Sequence, residues 1–307
     1  MIQEAFSQLV KKSLEPEVQK RAITYLAEHL GKFLNPGERV VICFPEHKEG
    51  NLGWLMEQAA LQIKAVPVIW SEDHLWNSLL RQTFTSHASA VIGPPLIILG
   101  LMKLKKHHNT PLPIRKVITA GYPCLDWMID GIAKGLDCEV GGCFSLGDVG
   151  VVAGFACGRS WGVHLREEEY GVDIVDESGN VLPDGQIGQI ALYHKDQPQY
   201  RYPMGEFARI VSEPCDCGSG TVRLLDMQPG KLKDADLLEL SQSLHSWTSI
   251  LDCKVERGEY GLEIEMVVFA GEKLPKMPNA AKMIIRPFNP KTEKPFWYIP
   301  SVKNAWK

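Results

Sequence analysis

Tyr170-Gly-Val-Asp-Ile-Val-Asp176, Glu177-Ser-Gly-Asn180, Val181-Leu-Pro-Asp-Gly185 and Ile187-Gly-Gln-Ile-Ala-Leu-Tyr193 follow one another along the chain. The first segment alternates in the way a strand buried on one face should. Ser178-Gly179 supplies turn residues for a hairpin, and Pro183-Asp-Gly185 marks a second turn. Ile187 to Tyr193 reads as the next strand. A third extended segment, Tyr200 to Val211, runs directly into Cys215-Asp-Cys217-Gly218. Short strands with closely spaced turns predict a small β-barrel subdomain from Val149 to about Leu225.

Working outward, the upstream half has a different rhythm. Before Leu34, apolar residues recur at helical spacing: Phe6, Leu9 and Val10, then Ala22, Ile23, Leu26 and Leu30. Asn35-Pro-Gly37 is a turn, and Arg39-Val-Val-Ile-Cys-Phe44 reads as a buried parallel strand. Helices are expected over Leu52–Ile63, His74–Phe84, Leu96–Lys105 and Leu125–Gly135. Strands are expected at Val66–Trp70, Ala90–Gly93 and Lys116–Ala120. Alternation of this kind predicts an α/β fold, with a parallel sheet flanked by helices. Beyond Pro229-Gly230, Asp234 is placed to cap a helix carrying Leu237, Leu238, Leu240, Leu244 and Trp247. Strands at Ile250–Glu256 and Leu262–Ala270 follow. Three parts are therefore expected: an α/β subdomain with N-terminal helices (residues 1–148), the barrel subdomain (149–228) and a small α+β C-terminal domain (229–307).

Four residues could ligate a metal. Cys157 and His164 form C-x6-H, and Cys215 and Cys217 form C-x-C-G roughly fifty residues later. Three thiols and an imidazole complete the tetrahedral set that structural zinc takes. The spacing alone leaves two readings open, because Cys157 could equally be a buried hydrophobe beside a turn-borne thiol pair.

The run from Val172 to Gly218 resembles the adenylate-forming (ANL) superfamily, and within it the phenylacetate–CoA ligase branch. Members of that branch typically read D-x-x-G-x-x-x-P-x-G-x-x-G-E here, followed by R-Y-x-T-x-D and C-x-C-G. They also carry a Cys and a His seven positions apart just before the barrel, as Cys157 and His164 are. The resemblance thus implies structural zinc on Cys157, His164, Cys215 and Cys217, pinning the barrel hairpins. It further implies that Ile118-Thr-Ala-Gly-Tyr-Pro123, including Gly121 and Tyr122, borders an acyl and adenine pocket. Phe144 would be the aromatic near adenine, Asp148 the magnesium carboxylate and Glu206 the acid on the ribose. Asp148 is a methylene shorter than the usual Glu, Glu206 a methylene longer than the usual Asp, and Gly147 lacks the usual hydroxyl. On residue type alone, Phe144 fits a core and Asp148 a turn equally well. The family's Ser/Thr/Gly-rich loop for the β- and γ-phosphates has no counterpart in Met1–Arg39. The C-terminal domain would be the family's lid, hinged at Gly230-Lys231. Lys303 and Lys307 lie where that lid carries a lysine, but without a matching motif they read as a solvated tail.

Composition narrows the remaining classes. A formal net charge of -4 over 307 residues gives no basic stripe for nucleic acid, and Lys103-Leu-Lys-Lys-His-His108 reads as a solvated helix end. Met1-Ile-Gln-Glu-Ala-Phe6 has no signal-peptide pattern, and the apolar run Ala90–Met102 is broken by Pro94-Pro95, so a cytoplasmic protein without membrane contact is expected. Eight cysteines in that setting imply reduced thiols. There is no G-x-G-x-x-G and no G-x-S-x-G. The resemblance implies a ligase-like protein that uses ATP or AMP with magnesium, and CoA, on a small carboxylic acid. The alternatives are a nucleotide- or CoA-binding module, or a degenerate scaffold working with a protein partner that supplies the missing subdomain.

Overall fold

The computed structural model describes residues 2–70, 73–122, 124–146, 149–157, 162–229, 235–276, 280 and 282–296. Pro123, Asp148, the Gly230-Lys231 turn, Asp234, Lys303 and Lys307 lie outside the described residues.

Helices α1 (Ile2–Ser13) and α2 (Pro16–Phe33) precede β1 (Arg39–Ile42), α3 (Leu52–Gln62), β2 (Val66–Ile69), α4 (Trp76–Thr85) and β3 (Ala90–Gly93). Then come α5 (Pro95–His107), β4 (Lys116–Thr119), α6 (Asp126–Leu136) and β5 (Glu139–Ser145). Strands β2, β1, β3, β4 and β5 lie side by side, all parallel. Their residues alternate between two covered faces. Val40, Ile42, Ile92 and Ile118 meet Leu26, Leu30, Leu55 and Met56 of α2 and α3. Val41, Val91 and Val117 meet Leu79, Ile98, Leu101 and Ile132 of α4, α5 and α6. Each fully buried aliphatic side chain contributes about 1.5–3 kcal/mol, which is why near-continuous Val/Ile strands fold here as a sandwiched sheet. α4 and α5 approach closely at Gly100, where a Cβ would lie 2.2 Å from the Trp76 ring.

The second half continues the same sheet. β5 is parallel to β4 over Glu139–Gly142, then antiparallel to β6 (Val152–Phe155) from Cys143 onward. β7 (Val163–Leu165), β8 (Tyr170–Val175), β9 (Gly188–His194), β10 (Tyr202–Val211) and β11 (Arg223–Pro229) complete an eleven-stranded order, β2-β1-β3-β4-β5-β6-β7-β11-β10-β9-β8. The strands expected at Tyr170–Asp176 and Ile187–Tyr193 pair in register from Tyr170↔His194 to Val175↔Gln189. β8 and β2 are the two ends of this order, so the antiparallel half extends the parallel sheet through a shared strand. Helix α1 lays Ala5 and Leu9 on its core, with Phe6 5.2 Å from Tyr202 between ring centroids.

The C-terminal unit comprises α7 (Ala235–Ser246), β12 (Ile250–Gly258), β13 (Gly261–Val268) and β14 (Lys282–Pro287). β14, not foreseen from sequence, is parallel to β13. Trp247, expected on the apolar stripe of α7, falls past its end and is exposed. Lys103 is a clearer correction: it is 2 % exposed, not part of a solvated helix end. Among the described residues, no helix is long and apolar enough to cross a membrane.

Candidate functional site

The four expected metal ligands converge. Their ligand atoms all lie within 4.8 Å of one another. Cys157 follows β6 and His164 lies in β7, while Cys215 and Cys217 belong to the loop between β10 and β11. Cys157 Sγ is 3.7 Å from Cys215 Sγ, and Cys217 Sγ is 3.4 Å from His164 Nε2. A tetrahedral metal with bonds of about 2.3 Å to sulfur and 2.0–2.1 Å to nitrogen separates its donor atoms by about 3.6–3.8 Å. Those two separations lie close to the edges of such a polyhedron, and the other donor pairs are at most 4.8 Å apart.

The surroundings orient the donors. His164 Nδ1 is 2.9 Å from Thr221 Oγ1, which leaves Nε2 facing the thiols. The Ser219 amide donates to Cys217 Sγ at 3.4 Å, and the Gly218 amide donates to the Cys215 carbonyl at 2.9 Å. Gly218 has φ +84°, a left-handed value that glycine adopts without strain. Thr221 was not singled out from sequence, although Ser219-Gly-Thr221 directly after the thiol pair is a usable signal. The cluster sits at the β7–β11 pairing, where Val163 and His164 meet Leu224 and Arg223 and the Leu165 amide donates to the Val222 carbonyl at 2.9 Å.

A second expected site is at the carboxyl ends of the parallel strands. Gly121, just after β4, has φ +87°, and its amide donates to Ser145 Oγ at the end of β5 over 2.8 Å. The turn at Gly121 and Tyr122 and the end of β5 are thus brought together, at the edge where open α/β sheets bind ligands. Phe144 stands one residue before Ser145 on β5. Its ring is buried in the antiparallel core with Val151, Leu165, Tyr170, Ile190 and Leu224.

Glu206 is 8 % exposed on β10. Pairing with β9 shifts between Pro203 and Phe207, so Met204, Gly205 and Glu206 lie within a bulge. Gln189 Nε2 reaches the Met204 carbonyl at 2.8 Å and satisfies a backbone group there. Opposite Glu206 on β11 is Pro229, which has no amide to donate. Bulges re-aim side chains, and this one holds a carboxyl in the interior with no ion pair among the described residues. Burial pushes that carboxyl up to about 7, partly opposed by its own backbone amide.

A buried ionic network was not read from sequence. Glu169 accepts from Arg21 through Nε at 2.8 Å and Nη2 at 2.7 Å, from Arg166 Nη2 at 3.1 Å, and lies 2.6 Å from His194 Nε2. Burial alone would raise the Glu169 carboxyl, but hydrogen bonds from Arg21 and His194 and the Arg166 charge hold it below 4.5. This network ties α2 to β9 and is structural in character. Arg201 pairs with Asp173 at 2.8 Å.

No protein-family description matches the chain, and no curated protein matches it in sequence. Solved structures do match in shape. A 2-hydroxyisobutyryl-CoA ligase in the postadenylation state, in complex with R3-HIB-AMP, aligns at TM-score 0.63 and 14% identity, covering 81% of this chain and 58% of that protein. A benzoate CoA ligase from Burkholderia xenovorans LB400 aligns at TM-score 0.55 and 13% identity, covering 89% and 64%. The amide bond synthetase McbA from Marinactinospora thermotolerans aligns at TM-score 0.52 and 13% identity, covering 90% and 64%. The chain spans less than two thirds of the length of each of these proteins. The mixed sheet of parallel and antiparallel halves is thus a fold that this chain shares with acid–CoA ligases and an amide bond synthetase.

Proposed function

We propose that the chain is the metal-pinned body of an adenylate-forming protein that holds an acyl-adenylate or AMP and serves carboxylic acid activation. Residues 1–148 would form the α/β subdomain, 149–228 the barrel-like subdomain and 229–307 the C-terminal domain. The observation that carries the reading is the joined mouth at Gly121 and Ser145, on a fold whose solved examples hold adenylates. The relevant neighbours are a 2-hydroxyisobutyryl-CoA ligase in complex with R3-HIB-AMP, and the same ligase with 2-HIB-AMP and CoA.

The nucleotide would lie between the Gly121-Tyr122 turn, the end of β5 and Glu206. Glu206 would accept from the ribose hydroxyls. Asp148 would supply an oxygen to magnesium on the phosphates, a hard cation that takes oxygen donors. Zinc is the metal that three thiols and one imidazole suit, and Cys157, His164, Cys215 and Cys217 would hold it in a closed structural site. CoA would be the acceptor thiol. The partial coverage of the matched ligases favours a second arrangement of the same function. In it, the remaining part of a ligase body comes from other residues, in the same polypeptide or in a partner, and this chain contributes the adenylate-holding half.

Titration calorimetry tests the placement. AMP is expected to bind the parent and to bind Glu206→Ala more weakly, by at least about tenfold, since even one lost hydrogen bond to a charged group is worth about 1.5–3 kcal/mol. Equal AMP affinity in the two proteins excludes Glu206 from the site, and absence of AMP binding to the parent overturns the reading.

A further inference from the structure

The resemblance gives the C-terminal unit the part of a moving lid, and its packing points elsewhere. A crossover helix on one face of a sheet needs only one apolar side. Helix α5 instead buries Ile97, Ile98, Leu99, Leu101, Lys103 and Leu104, positions that go all the way round it. One side meets the parallel sheet. The other meets the C-terminal strands, since Leu251, Val267 and Phe269 belong to the same apolar cluster as Val41, Val91 and Val117. The alternate residues Cys253, Met266 and Val268 face Leu237 and Leu244 of α7. The small sheet is thus a layer with both faces covered, by α7 on one and α5 on the other.

Polar contacts fasten the same junction. Lys103 Nζ donates to the Ile250 carbonyl at 2.7 Å. Burial lowers the Lys103 ammonium to about 8, opposed by the nearby Cys253 and Asp252; Asp252 Oδ1 lies 3.3 Å from His245 Nε2, and Asp252 Oδ2 accepts from the Phe296 amide at 2.9 Å. His107 stacks on Phe269 with centroids 4.0 Å apart and planes 12° from parallel, and its Nδ1 is 3.5 Å from Glu272. The Trp76 amide, at the start of α4, donates to the Glu293 carbonyl at 3.0 Å. α5 leaves the carboxyl end of β3 and returns toward the amino edge of the sheet, so contacts at Lys103 and His107 lie away from the Gly121 mouth. Separating the unit would expose Leu251, Val267, Phe269 and the outer side of α5. Interfaces that open in function are more polar than this one.

We infer that the α7/β12–β14 unit is a fixed third layer bound to α5, and that it does not swing across the nucleotide site. This goes beyond the proposed function, and its test needs no ligand. Native-state hydrogen exchange on the full chain reads the amides of α5, β12 and β13. They are expected to open together, as one cooperative unit. In Lys103→Ala, β12 and β13 should lose protection at least tenfold in step with α5, while β8 and β9 keep theirs. Opening of β12 and β13 as a unit separate from α5 in the parent overturns the inference. So does a Lys103→Ala effect confined to α5. Should the variant not fold, the parent measurement decides alone.

Discussion

Two long-range joins hold this molecule together, and they use opposite chemistry. The β7–β11 join brings strands far apart in sequence into contact through two residue pairs, and beside it stand three thiols and an imidazole. The join between α5 and the C-terminal unit is almost entirely apolar and is centred on one buried lysine. A junction with little surface to bury has to be closed by directed bonds, which few residue types provide. A junction with a full apolar face is closed by area, and its polar groups need only be satisfied. The first kind is written in residue types, the second in the pattern of a whole helix.

The largest effect is expected at the first join. Cys215→Ser should lower the thermal midpoint more than any other substitution considered, because metal binding and local folding are one free energy. Chelator should bring the parent close to the variant, and a variant that melts with the parent breaks the contrast between the joins.

Removing Glu169 should come next. Glu169→Ala strips a carboxylate from buried Arg166 and His194 and from half-exposed Arg21, at a cost of roughly 3–5 kcal/mol in denaturant unfolding. Its pH dependence has a definite sign. The folded carboxyl titrates below 4.5, so its stabilisation is present above that pH and is lost as pH falls through the folded value. A pH-stability curve for Glu169→Gln should be flatter than the parent's on the acid side.

Glu206 should behave in the opposite way. Its folded carboxyl is pushed up to about 7, so the folded protein holds a proton that the unfolded chain releases. Between about 4.5 and 7 the parent should lose stability as pH rises, on the order of 3 kcal/mol. Glu206→Gln should therefore gain on the parent from pH 5 to pH 8, and equal slopes would mean that the carboxyl is not isolated in the folded protein.

Lys103→Ala is expected to have the smallest effect of the four, about 2 kcal/mol, from a cavity and an unpaired Ile250 carbonyl. Unfolding followed by far-UV dichroism and by tryptophan fluorescence should remain one transition. Two separated transitions would mean that the apolar face alone does not hold the layers.

The parts legible in the sequence were those with a local cause. Val/Ile runs and helical spacing located four of the five parallel strands and their crossover helices, and Ala90–Gly93 lies just where its apolar run placed it; β5, Glu-Val-Gly-Gly-Cys-Phe-Ser, has no such run. The strands at Tyr170 and Ile187 were legible because alternation and turn residues agree there. Cys157, His164, Cys215 and Cys217 were legible as chemistry, and the structure brought them together. β14 was not, because Lys282–Pro287 is an edge strand with mostly exposed residues and no clear alternation. Lys103 was misread because a charged residue near a helix end is usually solvated. The contrary signal, apolar residues on every side of α5, says that a second layer is present without naming it. The Arg21–Glu169–His194 network was illegible because its members are brought together only by the fold, from 25 to 148 positions apart.

The central claim is that the weaker of the two joins is closed by a metal. Elemental analysis of full-length protein purified without chelator tests it most directly, paired with Cys215→Ser prepared in the same way. The account predicts one zinc per parent chain and a large loss of zinc in the variant. Parent protein that is folded and free of zinc would contradict it.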